Sequence, residues 1–209
     1  MNKLKILYVH GYMGKGNGSA SRLLREALDD ACVDFELDAP QFPVSDPDAM
    51  KKALSEKIDK YDYIVASSLG AFYLLQTEAP RKILVNPALP ENLRRIKANA
   101  PAENPDLTDA FIDRLERDFN AGAEKFFSAD AASKCDFIFG KNDDIAPNEA
   151  AYASRFPEPP RAIRVDMGHK LNADGAGAVC YTIMISAFAE GMERFLKEHD
   201  AESEKETEI

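Results

Sequence analysis

The fold of this chain turns on one stretch, Tyr63-Ile64-Val65-Ala66-Ser67-Ser68-Leu69-Gly70-Ala71-Phe72-Tyr73-Leu74-Leu75-Gln76. Tyr63, Ile64 and Val65 are aromatic or β-branched, as a short buried strand requires, and Ala71 to Gln76 reads as an apolar helix. Between them lies a turn of small residues centred on Ser68. A serine on a sharp strand-to-helix turn, with small residues two positions away on each side, has the layout of a nucleophile elbow. The general pattern has glycine where Ala66 stands; larger side chains at Ala66 or Gly70 would collide with strand or helix. The competing reading is that Ser68 simply caps the following helix.

Working outward, strands alternate with helices. Lys5 to Val9 is an apolar run of strand length, followed by the glycine-rich loop His10 to Ser19 and a helical pattern from Ala20 to Ala31. Phe35 to Ala39 reads as a strand, and Asp46-Pro47 opens a helix running to about Lys60. Lys82 to Val85 is a strand ending at Asn86-Pro87. Residues 88–133 are charged and rich in Pro and Asn, and predict a helical excursion over one end of the sheet, with an amphipathic helix near Thr108 to Asn120. Alternation resumes with a strand at Asp136 to Phe139, a helix from Pro147 to about Arg155, a strand at Ala162 to Val165 and a long helix from about Asp174 to His199. Such β-then-α units predict a mostly parallel sheet covered on both faces. Ligands of such sheets bind beyond the carboxyl ends of the strands.

The 209 residues fit one domain, 1–209, with a charged tail at 200–209 expected to fray. A formal net charge of −10 argues against nucleic acid as a partner, whose phosphates need clustered Lys and Arg. No apolar run approaches the roughly 20 residues that span a bilayer, so no membrane partner is expected. The N-terminus leads straight into a strand and carries no secretory pattern. Cys32, Cys135 and Cys180 form no CxxC pair; all three are expected to be buried small hydrophobes, which fits a reducing, cytoplasmic setting. Oligomeric state is left open.

Three further strand-end loops carry candidate chemistry. Gly140-Lys141-Asn142-Asp143-Asp144-Ile145-Ala146-Pro147 offers a carboxylate to orient an imidazole. Asp143, at the tip of the turn, is favoured over Asp144, and helix capping is the plainer role for either. Gly168-His169 places a histidine in a loop rather than on an apolar helix face, where Nε2 would take the proton of Ser68 and Nδ1 would donate to the acid. In His10-Gly11-Tyr12-Met13-Gly14, the amide of Tyr12, or else of Met13, joins that of Leu69 as a candidate oxyanion donor. His10 is expected to be a structural hydrogen-bonder. The order Ser68, Asp143, His169 is that of the α/β-hydrolase triad.

With Tyr8-Val9-His10-Gly11-Tyr12, Ser67-Ser68-Leu69-Gly70, Val85-Asn86-Pro87-Ala88, Gly140-Lys141-Asn142-Asp143 and Gly168-His169, the chain resembles the YqiA/YcfP-like esterase family of α/β-hydrolases. The resemblance implies a compact α/β-hydrolase fold, activity on small-molecule carboxylic esters, and no cofactor or metal. It implies nucleophile at Ser68, base at His169 and acid at Asp143. Two other readings are carried forward. One is a catalytically silent hydrolase fold serving as an interaction module. The other is a phosphate or nucleotide binder using residues 11–19, although the spacing around Gly14-Lys15 departs from a phosphate loop.

Overall fold

The computed structural model describes residues 3–207, with side chains described as far as Glu193. Six strands form one sheet: β1 (Leu4–Val9), β2 (Phe35–Asp38), β3 (Tyr63–Ser67), β4 (Lys82–Val85), β5 (Cys135–Gly140) and β6 (Arg161–Val165), in the order β2-β1-β3-β4-β5-β6. Every pairing is parallel, with Ile6 opposite Tyr63, Ile64 opposite Lys82 and Val85 opposite Ile138. The chain moves outward from β1 to β2 and returns to β3 on the other side. This opens a crevice at the carboxyl ends of β1 and β3, where a doubly wound sheet binds its ligands.

The helices are α1 (Ser19–Asp30), α2 (Pro47–Ser55), α3 (Leu69–Leu75), α4 (Pro90–Asn99), α5 (Asp109–Ala121), α6 (Ala123–Phe126), α7 (Ala129–Ser133), α8 (Glu149–Ala153) and α9 (Ala173–Thr207). Strand residues alternate between two buried layers. On one face Ile6, Tyr8, Val65, Ile83 and Ile138 meet Leu24 and Leu28 of α1 and Val179 and Ile183 of α9. On the other, Leu7, Ile64, Leu84 and Phe137 meet Met50 and Leu54 of α2, Phe72 of α3, and Phe111, Leu115 and Phe119 of α5. Each such side chain, fully buried, contributes about 1.5–3 kcal/mol. Segment 88–133 is helical and packs into this second layer: the Phe119 ring lies 5.1 Å from that of Phe72 and 5.5 Å from that of Phe127.

Several elements differ from expectation. The α2 helix stops at Ser55, and a short 3-10 turn covers Ile58–Lys60. Expected to run to about Glu78, the α3 helix stops at Leu75, its end tied down by the buried Lys82, whose Nζ donates to the carbonyls of Leu75 at 3.3 Å and Thr77 at 2.7 Å. Expected from Pro147, α8 begins only at Glu149, because Pro147 and Asn148 are taken up by a turn in which the Asn148 amide donates to Ala146 O. Cys135 and Cys180 are buried but Cys32 is exposed. The reason is local: α1 ends in a left-handed turn, with Cys32 at φ 54°, Cys32 N–H donating to Asp29 O and Val33 N–H donating to Leu28 O. That is a Schellman closure, which puts the thiol on the surface.

Length and composition also correct the reading of the C-terminal helix. The window Ala173–Glu193 has a mean hydropathy of 1.2 and is long and apolar enough to cross a bilayer, although a third of it is buried within the fold. Polar Thr182 and Ser186 interrupt the run, which hides its apolarity in the sequence. The outer face of α9 exposes Tyr181, Met184, Phe188 and Met192. The acidic tail 200–209 falls outside the residues whose side chains are described.

Candidate active site

Ser68 sits between β3 and α3 at φ 53°, ψ −122°. For a non-glycine residue this left-handed backbone is strained by about 1–3 kcal/mol, and it persists only where its surroundings over-determine it. Here they do. Ser68 N–H donates to Val85 O, and Ser68 O accepts from both Phe72 N–H and Ala88 N–H. Gly70 is pressed against the backbone of Val9 and His10, leaving no room for a Cβ. The Ser68 side chain makes no capping bond to α3, so helix capping does not account for it.

Its Oγ lies instead 2.9 Å from Nε2 of His169, and Nδ1 of His169 lies 2.9 Å from Oδ2 of Asp143. Residues 68, 143 and 169 thus form one continuous hydrogen-bonded line along the carboxyl edge of the sheet. The other Asp143 oxygen, Oδ1, accepts from the amides of Ile145 at 2.9 Å and Ala146 at 2.8 Å. Asp143 therefore both closes its own turn and pairs with the imidazole, while Asp144 is exposed. Burial pushes the Asp143 carboxyl up, but its bonds to His169 and to these two amides outweigh that effect and hold it below the ordinary carboxylate value. It is a buried anion facing the ring.

The first loop lies against Ser68. A Cβ added to Gly11 would stand 2.7 Å from Ser68 Cβ. Gly14 N–H donates to Gly11 O, closing a turn with Tyr12 and Met13 at its tip, and Met13 sits at φ 55°. The amides of Leu69 and Tyr12 donate to no acceptor among the described residues. His10 is buried and its roles are set by its partners. Phe42 N–H donates to Nε2 at 2.9 Å, so Nδ1 carries the proton that goes to Gly11 O. Burial pushes its pKa down, in keeping with a neutral ring. In the glycine-rich loop, Gly14 N–H is held by Gly11 O and Gly16 N–H by the Gln41 side chain at 3.0 Å, so two of the amides a phosphate cradle would use are occupied. Among the described residues, no group of three or more His, Cys, Asp or Glu is placed to hold a metal ion.

A set of buried asparagines, whose part in the site the sequence reading missed, braces these loops. Asn86 Oδ1 accepts from Gly140 N–H, while its Nδ2 donates to Gly168 O and His169 O. Asn92 Nδ2 donates to Ile145 O, and Asn148 Nδ2 donates to Pro87 O and Asn92 Oδ1. Arg95 reaches across from α4 to the carbonyls of Asp144 and Ile145. The one available signal was a polar residue directly after a buried strand, as at Asn86.

A parallel sheet covered on both faces, with the elbow after β3 and the acid and histidine after β5 and β6, defines an α/β-hydrolase fold. Solved structures agree. The chain is 15% identical to Est1E from Butyrivibrio proteoclasticus, with a TM-score of 0.62 over 90% of this chain and 89% of that one. It is likewise 15% identical to a pyrethroid hydrolase from Sphingobium faniae, with a TM-score of 0.61 over 91% of this chain and 100% of that one. For alpha/beta hydrolase domain-containing protein 10 from mouse the identity is 15% and the TM-score 0.58, over 88% of this chain and 90% of that one. Residues 5–173 match the model of the Uncharacterised protein family (UPF0227), and the chain belongs to that family, the YqiA/YcfP-like group. No curated protein matches the sequence.

Proposed function

We propose that this protein is a serine hydrolase that cleaves a small carboxylic ester or thioester through an acyl-enzyme intermediate. The observation that carries the reading is the line Ser68 Oγ, His169 Nε2, His169 Nδ1, Asp143 Oδ2, with both separations at 2.9 Å. Similar folds carrying esterase and hydrolase names lend support.

In this reading Ser68 Oγ attacks the carbonyl carbon while Nε2 of His169 accepts its proton. Asp143 keeps the other ring proton on Nδ1, so Nε2 is the free base. The oxyanion forms between the amides of Leu69 and Tyr12, each such donor contributing about 3 kcal/mol to the transition state. The intermediate then collapses, the leaving alcohol or thiol takes the proton from Nε2, and water repeats the sequence on the acyl-serine. Hydrolysis of a p-nitrophenyl ester by the wild type, abolished in Ser68→Ala at unchanged circular dichroism, tests the assignment. Equal turnover by Ser68→Ala rejects it.

A further inference from the structure

We infer that Asn86 is a positioning residue for this reaction: its buried side-chain amide clamps the loop bearing the base to the loop bearing the acid. The inference rests on the hydrolase reading above. Asn86 directly follows β4 and is 0% exposed, at φ 43°. Asparagine tolerates the left-handed region better than most residues, but glycine tolerates it best. The backbone demand alone therefore does not explain an amide here; its bonds do.

Those bonds all go to the two loops. Oδ1 accepts from Gly140 N–H at 2.7 Å, three residues before Asp143. Nδ2 donates to Gly168 O at 2.9 Å and to His169 O at 3.1 Å, the carbonyls on either side of the His169 amide-to-carbonyl span. Both N–H groups and the oxygen are thus engaged, and none engages the imidazole, the carboxylate or the hydroxyl directly. The two loops meet closely at this seam, since a Cβ on Gly140 would lie 2.5 Å from Met167 O. On either side of Asn86, Val85 O accepts from Ser68 N–H at 2.9 Å and Ala88 N–H donates to Ser68 O at 3.1 Å. Three residues of the stretch 85–88 therefore grip all three loops. Asn86 sets where the His169 backbone stands relative to the acid turn, and a shift there opens the 2.9 Å contacts on which proton transfer depends.

The test compares wild type, Asn86→Asp and Asn86→Gly on p-nitrophenyl acetate, with reactive sites counted by a fluorophosphonate. Aspartate keeps an acceptor for Gly140 N–H but, when ionised, turns an oxygen without a proton toward two carbonyls; protonated, it regains one donor. The expected result for Asn86→Asp is a kcat per site about tenfold or more below wild type near pH 8, at a KM within about twofold. The ratio to wild type should climb as pH falls. Asn86→Gly, which keeps the left-handed backbone, should lose kcat without that recovery, and it carries the test alone if the aspartate variant does not fold. Wild-type kcat per site in the folded variants, or an Asn86→Asp deficit constant with pH, overturns the inference. A wild type that neither turns over ester nor labels at Ser68 overturns the hydrolase reading itself.

Discussion

Replacing Gly11 with alanine tests how closely the first loop must approach Ser68. The added Cβ would stand 2.7 Å from Ser68 Cβ, 3.0 Å from Ser67 O and 3.3 Å from Ser68 Oγ, where ordinary contact is 3.4–4 Å. Rotating a side chain does not relieve this, because Ser67 O is backbone and Ser68 Cβ is fixed by the elbow. Either the loop recedes, carrying the Tyr12 amide with it, or the elbow recedes, carrying Oγ. A displacement on the order of 1 Å at reacting atoms costs about 10²-fold in rate. Stability feels two opposed effects. Alanine restricts the unfolded chain, worth about 0.4–1 kcal/mol, whereas overpacking costs about 1–3 kcal/mol. Strain wins, by an amount that lowers Tm only by a few degrees in a chain of this size. Ester kinetics and a thermal melt should therefore show a folded Gly11→Ala variant with kcat about 10²-fold down. Wild-type kcat in that variant would refute the argument.

Asp143→Asn keeps an oxygen for the Ile145 and Ala146 amides but can present an N–H to His169 Nδ1, moving the ring proton to Nε2. Its kcat should fall by about 10³–10⁴-fold with the fold retained, and a loss under tenfold would speak against the tautomer argument. Because burial holds the His10 imidazole below 6.5 and its Nε2 must accept from Phe42 N–H, its neutral form stabilises the fold fully above pH 6.5. That contribution is lost as pH falls through the lower folded value, so Tm should decline from pH 7.5 to pH 5 more steeply in wild type than in His10→Asn; parallel curves would contradict it. A disulfide reagent should titrate one thiol rapidly in the native protein, Cys32, since Cys135 is buried and its thiol pushed up to about 11. Loss of the fast phase in Cys32→Ser checks this, and an unchanged fast phase refutes it.

Much of the site was legible because its residues follow strands of the central sheet. The runs at β3, β5 and β6 are regular enough to locate their carboxyl ends, and the residues that meet, Ser68, Asp143 and His169, lie just beyond those ends. Choosing Asp143 over Asp144 lay at the limit, since two adjacent acids differ only in which way the turn points them. What stayed hidden was non-local. Asn86 bonds to residues more than fifty positions away, and neither hydropathy nor spacing encodes such pairs. The left-handed end of α1, where a cysteine occupies a position that favours glycine, was unreadable for a different reason: helical periodicity carries no sign of how a helix closes. Helix α9 misled because Thr182 and Ser186 interrupt a stretch whose mean hydropathy is nonetheless 1.2.

An activated alcohol is the central claim, and covalent capture measures it most directly. Wild-type protein treated with a fluorophosphonate at neutral pH should gain the mass of one adduct, mapped by peptide sequencing to Ser68, and His169→Ala should not react. A folded wild type that gains no adduct, or gains it on another residue, would contradict the account.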